Sequence, residues 1–411
     1  MSTTDAIFQP IKVGQLTAQN RIVNNAMECG DADEEGSPTE KTYARYRKLF
    51  EGGAGIIDLE AITVQYESRG RIHQLSIMPR NQKALTKFVV EMRKVNSKPL
   101  LVMQLTHSGE LSSPEFSRRV CVKQLPGFGG DVIDEDYIEK TMDQFVLAAK
   151  IAHDAGANGI DFKNCHGYLD SQILRPYNDR KWKYGGSWEN RTRFTYAIYE
   201  RIMKEVNDPK FIVGSKVSIW EAFPGGQGTA GPTSPIMDLT ESLDLVRGMQ
   251  ARGASFIIVS AGSPSITLAK SQPDKKIPDD IYLHFTFQKA VHDALKPGTV
   301  VIGGAYSVLN DGHNELQARK REESTFLYWA NRNINDGVTD MVAIGRQSLA
   351  DPLLAKKLAE GREADVTWCT ACDNCVELLI RQQNVACTTY NPEYSRILKE
   401  ARKAEGELKA K

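Results

Sequence analysis

The sequence predicts a (β/α)8 barrel followed by a small cysteine-rich segment, and three observations lead there. Short apolar, β-branched runs alternate eight times with longer segments of helical period. Polar, reactive side chains stand where those runs end, which is where the loops of such a barrel build a site. Four of the seven cysteines fall together near the C-terminus, after the last repeat. Eight even repeats favour a closed barrel over a doubly wound open sheet, the rival that alternation alone leaves standing.

The predicted strands, in order, are Ile22 to Met27, Gly55 to Ile62, Leu100 to Thr106, Gly159 to Phe162, Phe211 to Ser218, Phe256 to Ala261, Thr299 to Gly304 and Met341 to Gly345. Each is short enough for a buried parallel strand. Periodic segments separate them: Thr39 to Phe50, Lys83 to Val95, Tyr137 to His153, Arg191 to Val206, Leu239 to Arg252, Ile281 to Leu295 and Phe326 to Asn335, with Leu353 to Glu360 after the last strand. Ser37-Pro38-Thr39-Glu40 reads as a helix start with a Ser cap and a Pro in the first turn. Gly52-Gly53, Gly156 and Gly253 sit where helix C-caps are needed. The barrel is expected over residues 1–361, with a Gly-, Pro- and Ser-rich loop at 107–133 forming a wall or lid. A cysteine-rich segment follows at 362–396, then a charged tail at 397–411 that reads as a frayed, solvated helix.

Composition removes several function classes. The chain has 411 residues, 41% of them apolar and 25% charged, enough for a large core. Its 52 basic and 52 acidic residues cancel, so no overall field favours nucleic acid or an anionic membrane. Residues 1 to 20 lack a signal-peptide pattern, and no apolar run approaches the roughly 18 residues needed to span a bilayer. A cytoplasmic location is expected, and homo-oligomerisation is left open.

Chemistry collects at the strand ends. The first strand leads into Ala26, Met27, Glu28 and Cys29; the second reaches Glu60 and Ala61; the third carries Gln104 and leads to His107. Lys163, His166 and Tyr168 follow the fourth, Lys216 lies in the fifth, and Gly303-Gly304 and Gly345-Arg346 end the seventh and eighth. Glycine turns followed by an arginine suit a phosphate, because backbone N–H groups approach closely and a guanidinium pairs with the oxygens. One such turn is ordinarily only a tight turn; two, in the units where barrels bind phosphate, point to a ligand.

The set Cys369-x2-Cys372-x2-Cys375-x11-Cys387 has three close thiols and one distant one. That spacing suits a [4Fe-4S] cluster, whose four irons each need one ligand. A four-cysteine zinc site, which usually pairs two knuckles, and unligated thiols are the alternatives.

Several ordered motifs resemble the old yellow enzyme (NADH:flavin oxidoreductase) family. They are Asn20-Arg21-Ile22-Val23, Gly53-Ala54-Gly55-Ile56-Ile57, Gln104-Leu105-Thr106-His107-Ser108-Gly109, His166-Gly167-Tyr168-Leu169, Tyr184-Gly185-Gly186-Ser187-Trp188-Glu189-Asn190-Arg191, and Gly345-Arg346 with Asp351-Pro352. The resemblance implies an FMN-binding barrel in which Ala26 and Met27 lie against the flavin, and Ala61 and Gln104 contact its ring. Lys216 would sit near N1 and O2, with the phosphate held by Gly303, Gly304, Gly345 and Arg346. A cation near N1 stabilises the anionic reduced ring. Tyr168 matches the proton donor of ene-reductases in that family. Two positions depart from the pattern. Lys163 stands where a histidine commonly grips the substrate carbonyl with His166, and Glu28 stands where Thr or Cys often lies beside flavin N5; a Glu28–Lys163 pairing would balance the two charges.

The cysteine segment resembles that of the trimethylamine dehydrogenase, 2,4-dienoyl-CoA reductase and 2-enoate reductase branch. Those larger relatives carry further FAD- and NAD-binding domains, and no Gly-rich fingerprint here supplies one. Electrons are therefore expected from NAD(P)H docking directly on the flavin, or through the cluster from a separate electron-transfer protein. The expected reaction on a small-molecule substrate is reduction of an activated C=C bond. The alternatives are oxidation of an amine or related C–H bond, and a non-flavin, phosphate-binding barrel lyase with structural zinc and Lys163 as a Schiff-base former.

Overall fold

A computed structural model describes residues 5–274, 277–309 and 325–409. Eight parallel strands close into one barrel: β1 (Ile22–Asn24), β2 (Ile56–Thr63), β3 (Leu100–Thr106), β4 (Gly159–Asn164), β5 (Ile212–Ser218), β6 (Phe256–Ser260), β7 (Val300–Gly303) and β8 (Met341–Ile344), with β8 pairing back onto β1. The eight expected strands are present; Leu100–Thr106 matches at both ends, and the others differ by one to three residues at one or both ends. The most consequential shift is in β4, which runs two residues past Phe162 and so carries Lys163 as a strand residue.

Helices α1 (Glu40–Gly52), α2 (Gln82–Val95), α3 (Glu135–Asp154), α4 (Trp188–Val206), α5 (Thr240–Ala251), α6 (Pro278–Ala294) and α7 (Phe326–Asn335) follow β1 to β7 in turn. The short α8 (Leu354–Ala359) comes after β8. The N-cap of α1 is Thr39 rather than Ser37; its amide donates to Thr42 Oγ1 at 3.1 Å, so the helix starts two residues later than the Ser-Pro pair suggests.

Side-chain alternation divides the barrel into two cores. Ile57, Leu59, Leu101, Met103, Ile160, Phe162, Val213 and Val217 point outward, into the layer shared with the helices. Ile56, Leu100, Val102, Ile212, Phe256, Ile258 and Val300 fill the lower interior. A hairpin of Ile11–Val13 and Leu16–Ala18 closes that end, burying Val13 and Ala18 against them. The upper interior is polar, because the same inward register that places Ile56, Leu100 and Ile212 below continues to Asp58, Gln104 and Lys216. Gly214 lies between these layers, and a Cβ there would come within 2.4 Å of the Phe256 ring. Gly214→Ala is expected to lower stability by about 1–3 kcal/mol through overpacking, read as a lower urea midpoint with an unchanged m-value.

The loop at 107–133 is tied down by its own pairing and by a neighbouring arginine. Val120–Cys121 pairs with Asp131–Val132, and Arg180 donates to the carbonyls of Val122 and Ile133 at 2.6 and 3.0 Å. Beneath it Arg175 bridges Glu110 at 2.7 Å and Glu221 at 2.8 Å, tying together the loops after β3, β4 and β5.

The cysteine-rich segment folds onto the barrel rim. Val385 N donates to Cys29 O at 2.9 Å, and Ile72 N donates to Gln382 Oε1 at 3.1 Å. Helix α9 (Asn374–Ile380) packs with α10 (Pro392–Lys409) around Cys29, Leu378, Val385 and Leu398. The charged tail continues α10, which begins at Pro392; Leu398 is buried, and Lys399 to Glu407 are exposed or half-exposed.

Candidate active site

The upper mouth of the barrel brings Glu28, Lys163, His166 and Tyr168 together. Tyr168 caps the short helix Leu169–Leu174, and its hydroxyl donates to Glu28 Oε2 at 3.3 Å. The Lys163 ammonium lies over the Tyr168 ring, 3.5 Å from its centroid. The anticipated Glu28–Lys163 pairing takes a different form. Glu28 bonds the tyrosine hydroxyl and Lys163 the tyrosine face, and the second carboxylate oxygen of Glu28 is buried with no hydrogen-bond partner among the described residues. Burial lowers the Lys163 pKa, opposed by the charge of Glu28. Burial pushes the Tyr168 hydroxyl well above its ordinary range, and Glu28 pushes it the same way.

His166 adopts φ +64°, held by its amide to Ser218 Oγ at 3.1 Å and its Nε2 to Ser260 Oγ at 2.8 Å. Burial, then the charges of Lys216 and Lys163, hold its pKa well below the usual histidine value, so the imidazole is neutral. His107 is taken up structurally. Its Nδ1 accepts from Gly109 N at 3.1 Å and its Nε2 pairs with Tyr137 Oη at 2.9 Å, and burial lowers its pKa to about 3.

Below these groups a second polar layer is built on neighbouring strands. Gln104 Nε2 donates to Asp161 Oδ2 at 2.5 Å, Lys216 N donates to Asp161 Oδ1 at 2.6 Å, and Ala26 N donates to Asp58 Oδ2 at 3.3 Å. Asp58 and Asp161 were absent from the sequence candidates. Both lie inside strands rather than at their ends, and the signal that finds them is inward alternation. Arg71 was missed as well. Its charge is felt at both Lys163 and Tyr168, and its Nε is buried with no hydrogen-bond partner among the described residues. Ala61 sits at a bulge in β2, where pairing with β3 slips between Leu59 and Ile62.

The two glycine turns meet at Ser307, whose Oγ accepts from Gly345 N at 2.9 Å. Gly303 leaves room for Gln288, since a Cβ there would lie 2.2 Å from Gln288 Oε1. A Cβ on Gly345 would lie 3.0 Å from Met27 Sδ, which places Met27 beside this turn. Arg346 is already engaged, by Asp373 in the cysteine loop and by the Pro273 carbonyl at 2.9 Å. A phosphate there would have to share the guanidinium with them. At the mouth, buried Asn25 Oδ1 and Thr106 Oγ1 have no hydrogen-bond partner among the described residues. Unfilled polar positions on β3 and just after β1, beside the inward-facing Lys216 of β5, are what a flavin ring, with donors and acceptors on one edge, would complete, so these residues fit the group.

Of the cysteines, Cys369 is buried, Cys375 and Cys387 half-buried and Cys372 exposed, and none is in a disulfide. Among the described residues no group of three or more His, Cys, Asp or Glu side chains is gathered as a single ion would require. The motif Tyr184 to Arg191 lies outside the mouth. Ser187 caps α4 through the Asn190 amide at 3.3 Å, and Arg191 donates to the Leu174 carbonyl at 2.7 Å.

A closed barrel with a polar mouth of this make-up has room and partners for a flavin ring, and its class is given by its family. Residues 6–246, more than half of the chain, match the NADH:flavin oxidoreductase / NADH oxidase family, and the chain belongs to that family of old yellow enzyme-like FMN barrels. Membership removes the non-flavin lyase alternative. The chain is 28% identical to a Thermoanaerobacter brockii NADH oxidase over 94% of its own length and 56% of that protein. It is 27% identical to a dimethylamine dehydrogenase of Hyphomicrobium sp. over 90% of this chain and 48% of the other. It thus spans about half the length of these curated relatives. Among solved structures, a 2-naphthoyl-CoA reductase superposes with a TM-score of 0.78 at 19% identity, covering 96% of this chain and 58% of that one. A histamine dehydrogenase from Rhizobium sp. 4-9 gives 0.75 at 23% identity, covering 96% and 53%. These two likenesses support the fold. Among the described residues no helix is long and apolar enough to cross a membrane.

Proposed function

We propose that this FMN-family oxidoreductase reduces the activated C=C bond of an α,β-unsaturated carbonyl or carboxyl compound. The observation that carries the reading is the buried Tyr168 hydroxyl, kept protonated beside the Lys163 ammonium and the neutral His166 imidazole. FMN, when bound, supplies hydride chemistry at N5. His166 and Lys163 hold the substrate oxygen by hydrogen bonds, which draws electron density from the double bond. Tyr168 gives its proton to the carbon that becomes basic, and Glu28 orients the hydroxyl. Arg71 adds a second positive charge to the mouth and suits a substrate carboxylate. Gln104 and Lys216 would bind the flavin ring, Met27, Ala26 and Ala61 would line it, and the turns at Gly303-Gly304 and Gly345-Arg346 would hold its phosphate. NAD(P)H is the proposed electron donor.

A second reading runs the same site toward oxidation of an amine or related C–H bond, with electrons leaving through a [4Fe-4S] cluster on Cys369, Cys372, Cys375 and Cys387 to a protein partner. The observation favouring it is that Cys375 and Met27 pack into one apolar cluster, a short path from mouth to thiols. An ultraviolet-visible spectrum of anaerobically purified protein is expected to show flavin bands over broad cluster absorption. A colourless protein would overturn both readings, and flavin bands with no bound iron would overturn the second. Anaerobic incubation with an enoate and with a secondary amine then assigns the direction.

A further inference from the structure

Two carboxyl groups in the polar layer, Asp58 on β2 and Asp161 on β4, are almost fully enclosed, at 2% and 0% exposure. Both point inward from their strands, and each carboxyl bears on the other's proton affinity as a close neighbour, through a hydrogen bond that forms once one of them is protonated. A bond between two carboxyls requires a proton, since an ionised carboxylate only accepts. The surrounding donors show where the proton sits. Asp161 already accepts from Gln104 Nε2 through one oxygen and from Lys216 N through the other, both at short range, which suits an anion. Asp58 accepts one longer bond, from Ala26 N to Oδ2, and its Oδ1 is buried with no hydrogen-bond partner among the described residues. A protonated Oδ1 that donates to Asp161 removes this orphan.

We propose that Asp58 and Asp161 share one proton, Asp58 as acid and Asp161 as carboxylate, and that Asp58 is thereby a positioning residue for the flavin ring. With the proton in place, Asp161 holds the Gln104 amide and the Lys216 backbone at the level where the ring would lie. Without it, two negative charges in contact repel one another and the layer loosens. The inference rests on the FMN reading for its ligand, but the shared proton itself does not.

The groups facing the pair agree with this assignment. The Lys216 charge, from β5, stabilises the anion, and Lys163 on β4 also senses Asp161. The Cys165 thiol, pushed up to about 12 by burial, and the buried Tyr199 hydroxyl on α4 face Asp161 as neutral groups. Burial, then the neighbouring carboxylate, raises Asp58 above its unfolded value. A raised acid contributes stability that is fully present below the unfolded pKa and is lost as pH rises through the folded pKa.

The test uses the full chain and the variants Asp58→Asn and Asp161→Asn. FMN dissociation constants are measured by quenching of free-flavin fluorescence from pH 6 to 10, and thermal midpoints of the flavin-free protein are recorded over the same range. The asparagine at 58 donates to Asp161 permanently. Asp58→Asn should therefore bind FMN within about threefold of the parent at pH 7 and show little change with pH, while parent affinity falls by about tenfold or more into the alkaline range. Asp161→Asn presents an amide to two existing donors, and its affinity should fall by about tenfold or more at every pH. Two outcomes overturn the proposal: Asp58→Asn keeping the parent's pH dependence, or Asp58→Asn being as damaging as Asp161→Asn. If Asp161→Asn does not fold, the pH profile of Asp58→Asn decides alone. If the parent itself does not bind FMN, the flavin reading fails, and the melting profiles still decide whether the pair shares a proton.

Discussion

Replacing Tyr168 by phenylalanine is expected to lower turnover of an enoate by about 10²–10⁴-fold, the usual worth of a positioned general acid. The hydroxyl makes one weak bond, to Glu28 at 3.3 Å, and the ring keeps its packing and its contact with Lys163. Folding should therefore be unchanged by circular dichroism. Rapid-mixing kinetics should show the substrate-reducing half-reaction slowed and the NAD(P)H-dependent half-reaction within about twofold, since only the former needs the proton. The pH profile separates the roles further. Burial raises Tyr168 far enough that it contributes no alkaline limb in the working range. Lys163 is lowered and loses its charge earlier than a free lysine, so an alkaline fall at saturating FMN should persist in Tyr168→Phe. Equal turnover in the variant would remove Tyr168 from the mechanism.

Arg175→Ala is expected to cost about 3–5 kcal/mol of stability, the penalty for leaving buried charges without their partner. Arg175 and Glu110 are each 2% exposed and Glu221 is fully enclosed. Removing the guanidinium strands both carboxylates under the wall at 107–133. Burial raises Glu110 and Arg175 opposes that rise. In the variant the Glu110 pKa climbs further, so the variant loses stability as pH increases. The difference from the parent should thus be larger at pH 8 than at pH 5 in urea melts. The triple change Arg175→Met, Glu110→Gln, Glu221→Gln should recover most of the loss, because it removes the charges together.

Much of the barrel was legible because strand and helix have different periods, and the outward faces of β2, β3, β4 and β5 follow that signal closely. The residues that cap and end elements were harder. Thr39 displaced Ser37 through a side-chain bond that composition does not reveal, and the contact of Leu398 in α10 with Cys29 and Leu378 joins segments far apart in sequence, which no local pattern encodes. In the mouth, Lys163, His166 and Tyr168 were found because they cluster after an apolar run. Asp58 and Asp161 were not, because each lies within a run of buried residues and matters only by its orientation. Arg71 belongs to a loop whose path no local pattern encodes. The Tyr184–Arg191 motif, the strongest family signature, caps and clamps a helix.

The hairpin that plugs the lower barrel has a kinetic consequence. Among the described residues, apolar side chains fill the interior from Val13 up to Ile258, so the floor below Asp58 and Asp161 is apolar. Their polar neighbours lie toward the mouth, which a bound flavin would cover. Isotope exchange at the pair, and at the Lys216 amide bonded to it, should therefore report how often the cofactor lifts or leaves, a residence clock built from the floor of the barrel rather than its rim.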